Sequence, residues 1–127
     1  MQLTGSSTTT VGTPWLLSLT RWPSGVVQTY VLDVSVAGTT PGLVIPCWGT
    51  LPLNPPYLNM DYGALFPGVF NNFIGSIGPG QTLQEFVNVP AFPILSGFTL
   101  SACALTLDSI SSTGLGLRSN SVSTLLQ

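Results

Sequence analysis

Short runs with a two-residue period recur along the chain, and they favour β-strands throughout. In the segment 98–108 (FTLSACALTLD), apolar and polar side chains alternate, and both faces become apolar towards its end. Alternation is the period of a strand, and a strand that is apolar on both faces lies inside a sheet. We therefore predict that this segment is the central strand of the fold.

Glycine and proline interrupt the chain every few residues and keep each strand short. The 127 residues include 14 Gly and 11 Pro, and helical periodicity is hard to find. The cleanest alternation runs over 30–37, and further strands are predicted at 15–20, 43–48, 83–89 and 119–126. Many short strands between turn signals are typical of an all-β fold. We predict one domain, residues 1–127, folded as a single antiparallel β-sandwich (Ig-like or jelly-roll-like).

Residues 57–73 break this regularity and form an aromatic-rich apolar insert. The segment has no clear period, and its aromatic residues are Tyr57, Tyr62, Phe66, Phe70 and Phe73. One or two helical turns are expected between Asn59 and Leu65, with Asn59 as the N-cap. Because an exposed apolar patch of this size usually marks an interface, we predict that these five aromatics form an assembly interface. The alternative is that they cap the open end of the sandwich within one subunit.

Charged residues are scarce. They make up 5% of the chain, and there is no Lys and no His. Mixed surface charge is what keeps copies of a protein apart, so this chain is expected to associate with itself. Two arginines are too few for a nucleic-acid partner. No apolar run approaches the length of a membrane-spanning helix.

The two cysteines, Cys47 and Cys103, are expected to form a disulfide, since an even pair in a charge-poor extracellular domain favours one. The alternative is two buried thiols that act as small apolar side chains. A metal site is not expected, because two cysteines without histidine leave the other ligands missing.

Catalysis can be tested by elimination. Without His or Lys there is no nucleophile–base pair, so only a pair of carboxyl groups could act. The spacing of Asp33, Asp61, Glu85 and Asp108 brings no two of them together. We predict no enzymatic activity and no cofactor. Asp108 is expected to cap a turn, whereas Asp33 and Glu85 are expected to be solvated or paired with Arg21 or Arg118.

The second half of the chain carries several short motifs in a fixed order: 88–93 (NVPAFP), 95–100 (LSGFTL), 104–108 (ALTLD) and 117–122 (LRSNSV). This order resembles a small β-sandwich module of secreted and surface proteins in Planctomycete-type bacteria. The first half matches more loosely. The resemblance implies a sandwich fold and an extracellular or cell-surface location, and its motifs are structural. The insert 57–73 and the shortage of charge depart from the module.

Together these features predict a structural subunit of an extracellular filament, sheath or surface layer. Copies would join by strand addition, through Met1–Thr10 or Ser119–Gln127, or by apolar head-to-tail contacts. The alternative is a secreted carbohydrate-binding or adhesion module. In that case a sugar ring would stack on an exposed aromatic residue: Trp22, Trp48, Tyr57 or Tyr62.

Two further expectations concern the surface. A viral coat protein is disfavoured because the chain has no basic arm for a genome. The segments Thr8–Thr10 and Ser109–Thr113 could accept O-glycans, or they could be plain polar loops.

Overall fold

The computed structural model describes all residues from Met1 to Gln127 and is built mainly from strands. The strands are β1 (Gln2–Gly5), β2 (Thr8–Thr9), β3 (Pro14–Thr20), β4 (Gln28–Ser35), β5 (Leu43–Ile45), β6 (Gly49–Leu51), β7 (Phe70–Asn71), β8 (Ile74–Ile77), β9 (Thr82–Asn88), β10 (Thr99–Leu107), β11 (Leu115–Arg118) and β12 (Val122–Leu126). The helical segments are α1 (Leu58–Tyr62) and two short 3-10 turns, Gly63–Leu65 and Pro93–Leu95. No helix has the length and apolar character needed to cross a membrane. The predicted all-β class is confirmed.

The strands form two large sheets and one separate hairpin. The first sheet has the order β1-β3-β9-β7, and the second has the order β2-β12-β10-β4-β8, with β11 also paired to β10. Strands β5 and β6 pair only with each other. Neighbouring strands are antiparallel except for the short parallel pair of β2 and β12.

Strand β10 occupies the centre of the second sheet, as its sequence pattern predicts. It pairs with β4 on one side and with β12 and then β11 on the other. Leu100, Ala102 and Ala104 face the main core, while Cys103 faces a smaller cluster under the β5–β6 hairpin. The strand is therefore covered on both faces, which is what the apolar character of its two faces requires.

The main core lies between the two large sheets. Sixteen buried apolar residues form it, and β3, β4 and β10 contribute three each from their inward faces. Trp15, Leu17 and Leu19 alternate with outward-facing residues along β3, so the period-two pattern translates directly into packing. Their complete burial shows that the sheets pack closely.

Both flanks of the stack are closed by strands that cross from one sheet to the other. Strand β1 belongs to the first sheet and the next strand, β2, to the second; β7 and β8 repeat this crossing on the opposite flank. Asn72 turns the second corner with a φ of 59°, a left-handed conformation that asparagine tolerates. Strands β2 and β7 have only two residues each, and such short edge strands offer little template for another chain.

The predicted disulfide between Cys47 and Cys103 is wrong in this structure, where both are free thiols. Cys47 lies in the turn between β5 and β6, with a φ of 64°, and its side chain is exposed. The hairpin covers Cys103 with Leu51 instead, in a cluster that also includes Leu53. The turn thus directs the first thiol to solvent while the hairpin buries the second.

Candidate functional site: an apolar cleft at one end of the sheets

An apolar cleft of about 320 Å³ opens between the two sheets at the end where β4, β9 and β12 finish and β10 begins. Its floor belongs to the main core and consists of Val34, Val87, Val89, Leu100 and Leu126. No charged residue lines it. We call this end of the molecule the cleft end.

Two connections form the rim of the cleft. One is the α1 segment with the loop that follows it, which contributes Tyr62 and Phe66; the other joins β9 to β10 and contributes Phe92 and Phe98. All four rings are exposed, and Phe92 and Phe66 expose 62% and 56% of their surface. The cleft therefore combines an apolar interior with an aromatic rim, which is typical of a binding surface for apolar groups.

The connection from β9 to β10 is held by backbone hydrogen bonds to β12. The Gly97 amide donates to the Leu126 carbonyl at 2.7 Å, and the Leu126 amide donates to the Phe98 carbonyl at 2.8 Å. The 3-10 turn Pro93–Leu95 begins with a proline, which fixes φ in the range that such a turn needs. This side of the rim is thus fixed to the second sheet.

The α1 side of the rim is fixed by Asp33, a buried residue of β4. Its carboxylate accepts hydrogen bonds from the Asn59 amide at 2.7 Å and the Met60 amide at 3.0 Å, the free N–H groups at the start of α1. Burial raises the pKa of Asp33, and these backbone N–H groups partly offset the rise. The helix is therefore capped by a side chain that is distant in sequence, and the prediction that Asn59 is the cap is wrong.

Asp61 also serves the start of α1, since its carboxylate accepts the Tyr57 amide at 2.9 Å. The fold thus brings two of the four acidic residues to one helix, although their spacing gave no sign of it. The negative charge of Asp61 adds to the rise in the pKa of Asp33. Both carboxylates have backbone partners, so the arrangement is that of helix caps.

The five aromatics predicted as an interface divide into three groups. Tyr62 and Phe66 are exposed on the rim of the cleft. Tyr57 and Phe70 are half-buried, and Tyr57 donates its hydroxyl proton to the Leu53 carbonyl. Phe73 is only 3% exposed and belongs to the main core, with its ring centroid 5.2 Å from that of Phe70. The insert therefore has two exposed rings on the rim, two half-buried rings and one ring in the core.

Sequence reasoning missed the other half of the rim. Phe92, Ile94 and Phe98 are exposed, but from the sequence 88–93 is only a motif of the resemblance, and Phe98 belongs to the predicted central strand. The sequence did contain a signal for this half of the rim. The connection is rich in proline and its large apolar side chains follow no strand or helix period, so no regular face directs them into the core.

Half of the six charged side chains lie inside the protein. Arg21, Asp33 and Glu85 are buried, so the prediction that Asp33 and Glu85 are solvated or paired with arginine is wrong. Arg21 donates to the Ile77 and Ser24 carbonyls, and the Arg118 guanidinium lies 5.4 Å from the centroid of the Trp48 ring. Neither arginine is therefore engaged with these two carboxylates.

Glu85 lies on the inward face of β9 and is fully buried. Neither of its carboxylate oxygens has a hydrogen-bond partner, and the nearby Tyr30 hydroxyl donates its proton to the Asn72 carbonyl. Burial raises the pKa of Glu85 to about 7. Burial also raises the pKa of Tyr30. Because the cost of burying the charged form is so high, the protonated acid is the form that suits this core.

The aromatic candidates for sugar stacking are dispersed. Trp22 is exposed beyond β3, at the end of the sheets opposite to Tyr62. The Trp48 indole donates to the Gly116 carbonyl and has the Arg118 guanidinium over its ring. Tyr57 packs against the smaller apolar cluster. The four rings do not form one stacking platform.

A smaller apolar cavity of about 160 Å³ lies beside the β5–β6 hairpin, and Asp33 and Cys103 line it. Burial raises the pKa of the Cys103 thiol to about 12. Nowhere do three or more His, Cys, Asp or Glu side chains gather into a metal-binding group. Comparisons with protein-family models, with curated proteins and with solved structures find no match to this chain.

Proposed function

We propose that this protein is a structural subunit that assembles with copies of itself into an extracellular filament, sheath or surface layer. The observation that carries the proposal is the cleft end, where an uncharged apolar cleft is surrounded by exposed aromatic rings. Exposed apolar surface of this kind gains free energy when a partner covers it. The protein acts by association and needs no cofactor or chemical step.

Apolar contacts at the cleft end suit this role better than strand addition. Both terminal segments are already in the protein's own sheets: β1 pairs with β3, β2 with β12, and β12 with β10. Donating either terminus to a neighbour would first require breaking these pairs. The edge strands are also short, with two residues in β2 and β7 and four in β1 and β8, which limits pairing between the sheets of neighbouring copies.

The low charge of the surface supports the same conclusion. Of the six charged side chains, only Asp61 and Arg118 are exposed and Asp108 is half-buried. Little long-range repulsion therefore opposes the approach of two copies. The resemblance to modules of bacterial surface proteins agrees with an extracellular location.

We further infer that the two packed sheets form a β-sandwich of the Ig-like or jelly-roll-like kind, with residues 57–73 as an insert over one open end. In the two candidate O-glycosylation segments, Thr8 and Thr10 are exposed, as are Ser109 and Ser112, whereas Thr9 is buried against Thr124. A carbohydrate-binding role has less support, because the candidate rings are dispersed.

The proposal can be tested by sedimentation velocity and negative-stain electron microscopy over a range of protein concentrations. We expect large species that grow with concentration and are lost in the double variant Phe66→Ser/Phe92→Ser. Val44→Ser is the matched control, since Val44 is similarly exposed but lies on the β5–β6 hairpin. A wild-type protein that stays monomeric at all concentrations would refute the proposal and favour the binding module.

A further inference from the structure

The end of the sheets opposite to the cleft carries the most exposed large apolar side chain of the protein. Strand β10 runs from the cleft to the turn 108–114, and its nine residues span about 27 Å at the usual rise per residue. Ile110 lies in this turn and exposes 90% of its surface, more than any other large apolar residue of the chain. We call this end the turn end.

The turn that carries Ile110 is held by hydrogen bonds. The Ile110 amide donates to the Asp108 carboxylate at 3.0 Å, and the Ser111 amide donates to the Asp108 carbonyl at 3.2 Å. The Asp108 amide donates to the Gly114 carbonyl at 2.9 Å, which closes the turn. Asp108 thus caps the turn as expected, and Ile110 is presented on a preorganised support that loses little entropy on binding.

Other exposed apolar side chains share the turn end. Trp22, Val26 and Val27 lie in the connection from β3 to β4, and each exposes more than half of its surface. Thr29 at the start of β4 is paired with Leu107 at the end of β10, so this connection lies beside the Ile110 turn. The turn end therefore presents an apolar projection with an apolar surround.

We infer that the Ile110 turn of one copy inserts into the apolar cleft of the next, which joins subunits head to tail. This inference rests on the proposed self-assembly and names its contact. The two surfaces lie at opposite ends of one strand, so every added copy leaves a free cleft at one end and a free turn at the other. A contact between two different surfaces that does not close on itself produces a linear filament.

Size and polarity both suit this occupant. A cavity of roughly 150 Å³ accommodates a benzene ring, so the cleft has room for the four-carbon side chain of Ile110 and a neighbouring valine. The cleft lining carries no charged residue and the projecting side chain is purely apolar, so no unpaired charge is buried by the contact. The exposed rings of Phe92 and Phe98 would cover Val26 and Val27 around it.

The contact can be tested by cross-linking between copies. In a Cys47→Ser background, which removes the exposed thiol, one sample carries Ser109→Cys, next to Ile110, and a second carries Leu65→Cys, next to Phe66, so that both contact side chains remain. Mixed and mildly oxidised, they should form a disulfide-linked heterodimer in excess over either homodimer. Ile74→Cys replaces Ser109→Cys as the control, because Ile74 is 65% exposed but lies on a flank, in β8. Equal cross-linking from positions 74 and 109 would overturn the inference.

A second measurement separates this contact from assembly in general. Ile110→Ser should weaken self-association at least about tenfold, the loss expected for one buried aliphatic side chain, while Ile74→Ser should leave it unchanged. Because Ile110 is exposed in the single subunit, its replacement should not change the urea midpoint at concentrations where the wild type is dispersed. Unchanged assembly of Ile110→Ser would overturn the contact and leave the proposed function standing, whereas a wild type that never assembles would remove both.

A small apolar ligand is the competing occupant of the cleft. N-phenylnaphthylamine, whose fluorescence rises in apolar surroundings, should bind dispersed wild-type protein and be displaced as the concentration rises and the cleft is filled by a neighbour. In Ile110→Ser it should stay bound at the same concentrations. Undiminished binding to the assembled wild type would overturn the inference, because the cleft would then be free in the assembly.

Discussion

Replacing Glu85 with glutamine removes the carboxyl group that the core encloses without a hydrogen-bond partner. The ordinary pKa of a glutamate is 4.5, and burial raises that of Glu85 to about 7. Below pH 4.5 the side chain is protonated in both the folded and the unfolded protein, so its contribution to stability does not depend on pH there. Between the two pKa values only the unfolded chain releases the proton, and the free energy of unfolding falls as the pH rises.

The size of this loss follows from the two pKa values. Where unfolding releases one proton, each pH unit changes the free energy of unfolding by about 1.36 kcal/mol. Between pH 4.5 and about 7, the wild type should therefore lose about 3 kcal/mol through Glu85. Because small domains are stable by roughly 5–15 kcal/mol, the loss is a substantial fraction of the total.

The assay is urea unfolding of wild type and Glu85→Gln at several pH values between 4 and 8. Near pH 4 the free energies of unfolding of the two proteins should differ little. Between pH 4 and pH 8 the difference should change by about 3 kcal/mol in favour of the variant. Asp33 and the amino terminus also have shifted pKa values, but both proteins share them, so their effects cancel in the difference.

Gln84→Glu is the matched control, because it places a carboxylate on the exposed face of the same strand, one residue away. Its stability relative to wild type should not depend on pH above about pH 5.5, since an exposed glutamate keeps its ordinary pKa. If the difference between wild type and Glu85→Gln were constant from pH 4 to 8, Glu85 would titrate normally and the argument from burial would fail.

Four other predictions concern the cap, the thiols, a glycine and salt. Asp33→Ala leaves two amides at the start of α1 unpaired, so it should cost about 1–3 kcal/mol in urea unfolding and speed proteolysis of the cleft rim. A thiol reagent should label Cys47 rapidly and Cys103 only on unfolding, because Cys103 is buried and its pKa is raised to about 12; two slow thiols would contradict this. Gly42→Ala should lower the thermal midpoint more than Gly97→Ala. Both glycines have positive φ, but only the Cβ at Gly42 would lie 2.4 Å from a backbone oxygen of β6. Sulfate should strengthen self-association, since apolar contacts are favoured by such salts; weakening in sedimentation would indicate a charge-driven contact.

The sequence predicts the strands whose side chains alternate. Strands β3, β4, β9 and β10 appear close to their predicted positions because each has one face that must be buried. The pattern of β10 also predicts its central place, since both of its faces are apolar. Strands β2, β6, β7, β8 and β11 were not predicted, because each has only two to four residues, too few to show a period.

The features that shape the cleft depend on contacts between distant residues. Asp33 caps α1 from 26 residues away, and nothing local to either segment indicates the pair. Glu85 shares a face of β9 with Leu83 and Val87, so the period of two places it in the core, although a carboxylate at that point suggests solvent. The disulfide failed for the same reason: the direction of a turn, and not the cysteine count, decides where Cys47 lies.

The burial of charge connects the core of this protein to its proposed assembly. With Arg21, Asp33 and Glu85 inside, the surface has few charges to keep copies apart, and its two ends are apolar. The same burial has a cost, because at neutral pH the fold must keep a proton on Glu85 or enclose a charge. A subunit that binds its neighbours only when folded gains stability from them by mass action. Assembly would thus offset the cost of an interior charge. The burial of charged side chains would permit association by removing charge from the surface, and association would in turn stabilise the fold that buries them.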